Sequence, residues 1–202
     1  MSGHRVTHLV TMFDEGGERS RSHAVPLGVM RAQAESLGIE LITPSASWQD
    51  YEKVFVETLK DLKGRGCDHG IFGDIDLQAH KDWEEKVCSA AGMEAVLPLW
   101  RENRLDLVEE FLTEGFRSVV VCVNERFLNK SFCGREFDRK FIADLPRAVD
   151  ACGENGEFHT FAFDGPMFRE AIPYRVDNIY RHEPVFPSGD PAGFYYAQLA
   201  LK

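Results

Sequence analysis

VTHLVTMFDEGGERSRSHAVPLGVMRAQAESLGIELIT, residues 6–43, reads as strand, loop, helix and strand. Residues 6–12 are a short apolar run rich in β-branched side chains, followed by a polar, glycine-containing stretch over 14–22. Val25, Val29, Ala32 and Leu37 then fall at helical spacing, Gly38 supplies the stop, and residues 39–43 extend again up to Pro44. The alternation continues with an amphipathic helix over 50–63, Val54, Leu59 and Leu62 inward, closed by Gly64 and Gly66. A strand follows over 69–72, then a helix over 77–91 ending at Gly92, an extended stretch at 94–97, and a helix over 104–113 before Gly115. Strands alternating with helices of roughly 10–15 residues are the pattern of an α/β fold, a parallel sheet with crossover helices.

Beyond Gly115 the pattern changes. Residues 118–123 are the clearest buried strand, 135–145 read as a helix stopped at Pro146, and 151–164 (ACGENGEFHTFAFD) give a turn feeding an alternating strand at Phe158, Thr160 and Ala162. The tail from Gly165 carries several prolines and two candidate strands, 174–177 and 193–199, which suits an antiparallel lobe. A soft boundary near 97–103 divides residues 1–100 from a smaller C-terminal α+β domain over 101–202. The sequence has no internal repeat and no low-complexity segment.

The 202 residues carry 23 Lys and Arg against 33 Asp and Glu, a formal charge of −10. That balance argues against a long DNA or RNA footprint, or an anionic membrane surface, as the main partner. No apolar run approaches the roughly 20 residues of a membrane span. Residues 1–13 lack the apolar stretch and small-residue cleavage site of a secretory signal, so a cytoplasmic protein is expected. Five cysteines, Cys67, Cys88, Cys122, Cys133 and Cys152, include no Cys-x-x-Cys pair, against both a disulfide framework and a zinc ribbon. Cys122 lies in the apolar run 119–123 and reads as a small packed hydrophobe. Cys152, beside Gly153, is a nucleophile only if a base and an electropositive setting accompany it.

Two stretches carry candidate chemistry. Ile71-Phe72-Gly73-Asp74-Ile75 puts a glycine and a carboxylate where a parallel strand ends, the rim at which open α/β sheets bind ligands. Gly73 lets a ligand approach the backbone, and Asp74 can accept from a ribose hydroxyl, hold Mg²⁺, or simply cap the next helix. Gly153-Glu154-Asn155-Gly156-Glu157-Phe158-His159-Thr160 packs two carboxylates, an amide, an imidazole and a hydroxyl into one turn and its departing strand. Glu154 and Glu157 can bind Mg²⁺ or orient an amine, and Asn155 can donate to a phosphate or carbonyl oxygen. The bland alternative is a hairpin with Asn-Gly at its turn.

Other stretches are weaker. The loop 16–23, GGERSRSH, lacks the lysine of a phosphate loop and fits neither glycine-rich fingerprint, so a flexible connection is expected, with Arg19, Arg21 and His23 able to touch an anion. Arg135 reads as part of a capped, solvated helix start. There is no Gly-x-Ser-x-Gly elbow and no His-Glu-x-x-His motif.

Taken in order, LVTMFDE (9–15), AQAESLGI (32–39), FGDI (72–75), LPLW (97–100), VVVCV (119–123), CGENGEFHT (152–160) and FDGP (163–166) resemble the diphthine–ammonia ligase family of ATP pyrophosphatases, from about Arg5 to the end. The resemblance implies a Rossmann-like, adenine nucleotide alpha hydrolase-like parallel sheet in the first domain and a family-specific second domain. It implies an ATP-dependent ligase that activates a carboxylate as an acyl-adenylate for attack by ammonia, with ATP and Mg²⁺ as cofactors. Thr11, Met12 and Phe13 would line the adenosine, Gly73 and Asp74 would sit by the nucleotide, and Glu154, Asn155 and Glu157 would face the acceptor or metal. The partners implied are ATP and a carboxylate-bearing acceptor, elongation factor 2 if the source is archaeal or eukaryotic.

Family members open with a strand and the phosphate loop Ser-Gly-Gly-Lys-Asp-Ser, then a helix, before the strand that is 6–12 here; these 202 residues contain no such loop. Backbone N–H groups at a helix N-terminus are the strongest phosphate ligands of such a site. A displaced start is the simplest account, in which case the full gene product is the ligase. A true loss leaves a non-catalytic nucleotide-binding or assembly protein. Because the first strand lies centrally in such sheets, its neighbours must pair, be covered or expose their edges, and an edge-covering homodimer is expected.

Overall fold

The computed structural model describes residues 3–183 and 193–202. Pro184, Pro187 and Pro191 of the tail lie outside them. The chain is α/β, as its alternating pattern requires. Strand β1 (His8–Val10) leads through a loop to helix α1 (Leu27–Leu37) and strand β2 (Glu40–Ile42), which lies parallel to β1 with His8 opposite Glu40 and Val10 opposite Ile42. Gly38, at φ 69°, closes α1 in the left-handed conformation that a Cβ penalises, and the Gly38 and Ile39 amides return to Glu35 and Ala34.

Helix α2 (Tyr51–Gly64) carries the chain to β3 (His69–Ile71), and α3 (Gln78–Ala90) to β4 (Glu94–Val96), parallel to β3 with Ile71 opposite Val96. The inward faces of α2 and α3 meet through Leu59, Val87 and Cys88, with Phe55 and Trp83 5.1 Å apart between ring centres. The expected parallel sheet is therefore present as two separate two-stranded pairs. Between β1 and β3 no backbone ladder forms among the described residues. Side chains bridge them instead: His8 Nδ1 is 3.3 Å from Cys67 Sγ, and the His4 and His69 rings are 4.7 Å apart.

Helix α4 (Arg104–Thr113) starts at Asn103, whose side chain accepts from the Leu105 and Asp106 amides. Strand β5 (Arg117–Asn124) follows, its Val119, Val120, Val121 and Val123 shut off from solvent. Burying each such valine contributes about 1.5–3 kcal/mol. The helix expected over 135–145 is shorter: helix α5 spans Arg139–Asp144 and is capped by Asp138 accepting from the Phe141 amide at 2.7 Å. Residues 134–137 instead lie along β5, the Val120 amide donating to the Arg135 carbonyl and the Phe137 amide to the Ser118 carbonyl. The Asp138 cap competes with helix propagation and wins, because Phe137 can then pack beside Phe141 and Phe158.

Strands β6 (Phe158–Asp164), β7 (Tyr174–His182) and β8 (Phe194–Leu201) complete an antiparallel sheet of order β6-β5-β8-β7. Phe13, Val25, Val29 and Met30 from the first part of the chain share one core with Val119, Phe141, Phe158 and Leu199. That shared core presses α1 and the loop before it against the sheet and sets the position of the site. No helix of the described residues is long and apolar enough to cross a membrane.

Candidate functional site

Two adjoining clefts open where the first part of the chain meets the antiparallel sheet. The larger, about 1120 Å³, runs between the facing edges of β1 and β3 and is lined by Val10, Ile71, Phe72, Asp74 and Glu84 among others. The smaller, about 520 Å³, lies between the loop after β1 and the sheet, against Arg19, Arg21, Asn124, Asn155 and Tyr180. Ser22, Trp48 and His159 line both.

The loop over 16–23, expected as a flexible connection, is held with its flanks by backbone hydrogen bonds. The Asp14 amide donates to Arg19 carbonyl, Arg21 to Met12, Ser20 to Val25 and Leu27 to Glu18, all within 3.0 Å, while Ser20 Oγ accepts from the Val25 amide. Arg19 and Arg21 are thereby fixed on the smaller cleft. The His23 and His159 rings meet at a tilt of 51°, their centres 4.6 Å apart. Burial, reinforced by His159, lowers His23 to about 3, and burial lowers His159 as well, so both rings are neutral near pH 7.

At the end of β3, Gly73 faces open space, and Asp74 meets His80 Nδ1 at 2.6 Å. Glu84, from α3, is buried, and its Oε2 has no hydrogen-bond partner. Burial first, then Asp74, raises its carboxyl well above the usual range. Glu154 is raised too, by burial and then Asp74, with the Ile75 amide and Arg104 opposing. The rim of β3 and the acidic turn, separated by some eighty residues of sequence, are thus one electrostatic unit. Arg104 clamps them, pairing with Asp76 at 2.5 Å and with Asp150 at 2.9 Å.

Within the turn, Glu157 is 1% exposed. Its carboxylate accepts from the Asp150 and Asn155 amides and from Asn155 Nδ2, at 2.9–3.0 Å. Glu157 therefore shapes the turn, leaving Asn155 on the smaller cleft and Glu154 toward Asp74. Thr11 and Phe13 continue the β1–β2 pairing, their amides donating to the Ile42 and Pro44 carbonyls, and the Met12 and Phe13 side chains are buried. Among the described residues, no group of three or more His, Cys, Asp or Glu side chains is arranged to hold a metal ion.

Cys152 donates to the Arg104 carbonyl at 3.2 Å, and burial, with Asp150 and Glu154 nearby, pushes its thiol up to about 12. That is the setting of an inert thiol. Arg135 pairs with Asp144 and lies over the Phe132 and Phe141 rings, away from both clefts. Sequence reasoning missed Glu84, Arg104, Trp48 and Tyr180. Glu84 is polar within a helix and reads as a solvated position, and the others become meaningful only through partners distant in the chain.

Comparison with known proteins covers most of the chain. Residues 1–95 match the model of the diphthamide synthase N-terminal domain, and residues 103–184 match that of the diphthamide synthase C-terminal domain. The diphthine–ammonia ligases of Bos taurus and Homo sapiens are each 26% identical over 181 residues, 87% of this chain and 65% of theirs. That of Schizosaccharomyces pombe is 22% identical over 207 residues, 89% of this chain and 34% of its own. The chain thus spans under two thirds of the length of these relatives.

Proposed function

We propose that this chain, which belongs to the diphthine–ammonia ligase family, forms the nucleotide and acceptor clefts of an ATP-dependent enzyme that converts a carboxylate to an amide. An acceptor carboxylate oxygen attacks the α-phosphorus of ATP, and pyrophosphate leaves. Ammonia then attacks the acyl carbon, AMP leaves, and the nitrogen gives up a proton. The protein's task in both steps is positioning and charge stabilisation in a site shielded from water.

The observation that carries this reading is the junction of the two clefts at Ser22, Trp48 and His159, with Asp74 on one side and Asn155 on the other. ATP occupies the larger cleft, its ribose within reach of Asp74 and its approach unobstructed at Gly73. Thr11, Met12 and Phe13 follow Val10 outside the lining of this cleft, so their part is to hold the strand that borders it. Asn155 and Glu154 meet the acceptor; Glu157 holds Asn155, and Asp150 accepts the Glu154 amide at 2.9 Å.

The test is calorimetric titration with ATP, together with measurement of ATP-dependent pyrophosphate release. Both are run on this chain and on a version extended upstream by a segment carrying Ser-Gly-Gly-Lys-Asp-Ser. The expected result is binding and release by the extended form, with release cut at least tenfold by Asp74→Ala. Absence of both in both forms overturns the reading. A second reading, a non-catalytic binding or assembly protein, keeps the same two clefts for a ligand without turnover. Ligand binding without turnover in the extended form supports it.

A further inference from the structure

The smaller cleft is cationic although the chain carries a formal charge of −10. Arg21 lies over the Trp48 ring, its guanidinium carbon 4.6 Å from the centre. Its Nε is buried and makes no hydrogen bond, and no carboxylate among the described residues pairs with it. By contrast Arg104, Arg117, Arg135, Arg139 and Arg181 each hold a carboxylate. A guanidinium that borders a cleft without a carboxylate partner attracts an anion there through its remaining N–H groups.

The rest of the lining fits the same ligand. Arg19 donates to Tyr180 Oη at 2.9 Å and is held over the Tyr180 ring. Stacking on an aromatic face orients a guanidinium and leaves its in-plane N–H edge for a planar, two-oxygen acceptor. Asn155 is fixed by Glu157, and Asn124 by the Arg126 amide donating to its Oδ1 and by its own Nδ2 facing the Gly156 carbonyl. Among the described residues Asp14 is the one carboxylate in the lining, and its Oδ1 is already engaged by the Glu18 amide.

We infer that the cleft between Arg21, Arg19 and Asn155 is a carboxylate-binding site, with the Arg21 guanidinium stacked on Trp48 as its principal donor. On the ligase reading, on which this identification of the ligand rests, the carboxylate is that of the acceptor. Arg21 then presents it at the mouth of the larger cleft, where Ser22 and His159 mark the passage. Arg21 is the binding residue for the acceptor's charge, and Trp48 is its positioning residue.

The test is titration of the ¹⁵N-labelled chain, without nucleotide and at constant ionic strength, with acetate and separately with inorganic phosphate. The readout is the Arg21 Nε–H resonance, assigned by its loss in Arg21→Lys. Acetate is expected to shift this resonance saturably, with about tenfold weaker binding in Arg21→Lys and in Trp48→Leu, followed there through the Asn155 amide. A saturable response to phosphate but not acetate overturns the carboxylate assignment. No saturable response to either anion, or unchanged binding in Arg21→Lys, overturns the site altogether. Since no ATP is present, acetate binding in a chain whose extended form releases no pyrophosphate supports the site while removing the ligase reading.

Discussion

Glu157 grips Asn155 twice: its carboxylate accepts the Asn155 backbone amide at 2.9 Å and the Asn155 side-chain amide at 3.0 Å. The acidic residue nearest the middle of the motif is thus the scaffold of the turn, and the asparagine is what the turn presents. With the Asp150 amide as third donor, the carboxylate's two oxygens face only N–H groups. Glu157→Gln puts an NH₂ against one of these donors and should cost about 1–3 kcal/mol. Urea denaturation checks it, and a loss under about 0.5 kcal/mol would show that the turn does not depend on the charge.

Glu84 should make the fold less stable as pH rises. Its carboxyl is raised in the folded state, by burial and then by Asp74, so the folded chain binds more protons than the unfolded one above the ordinary carboxylate range. Stability from this group is complete at lower pH and falls as pH climbs toward the raised value. Glu84→Gln should flatten that decline and be more stable than the parent at pH 8. Denaturation midpoints between pH 5 and pH 8 measure it, and parallel curves for the two proteins would refute the burial argument.

His23 acts in the opposite direction. Its folded value is depressed from 6.5 to about 3, so its contribution is complete above 6.5 and is lost as pH falls toward 3. Replacing it with Gln, which does not titrate, should reduce the steepness of acid unfolding between these limits. An unchanged acid limb, measured by circular dichroism, would contradict the buried neutral imidazole.

The two glycines of the turn should differ. Both have positive φ, 74° at Gly153 and 77° at Gly156, but a Cβ on Gly153 would stand 2.7 Å from the Phe158 carbonyl oxygen, while Gly156 has nothing within 4 Å. Gly156→Ala should cost about 1 kcal/mol, the backbone penalty alone, and Gly153→Ala more than about 2 kcal/mol. Equal thermal shifts would remove the steric distinction.

Cys152 should resist alkylation. With its thiol pushed up to about 12, iodoacetamide at pH 7.5 should modify it far more slowly than a free cysteine, as followed by mass spectrometry of the peptide. Cys152→Ser keeps a donor for the Arg104 carbonyl and should leave pyrophosphate release by the extended protein intact. Rapid labelling, or loss of that activity, would reinstate it as a nucleophile.

The sequence by itself determined the local elements. Helical spacing and Gly38 place α1, the helix read over 104–113 is α4, and the unbroken apolar run of 119–123 announces a strand buried on both faces. These features rest on interactions within a few residues, so a linear reading captures them. The density of polar groups in residues 153–160 also marked the turn that borders the smaller cleft.

Only the tertiary structure decided what those groups do. It turned the expected continuous parallel sheet into two pairs flanking a cleft, and converted residues 134–137 from helix to an extended partner of β5. It buried Glu157 beneath the turn, brought Glu84 and Glu154 to Asp74, and set Arg21 over Trp48 beside Tyr180. Each depends on burial, or on a neighbour far along the chain. A residue's type fixes its chemistry, but whether a carboxylate is solvated, shared or used as a scaffold is set by which distant groups the core packs around it.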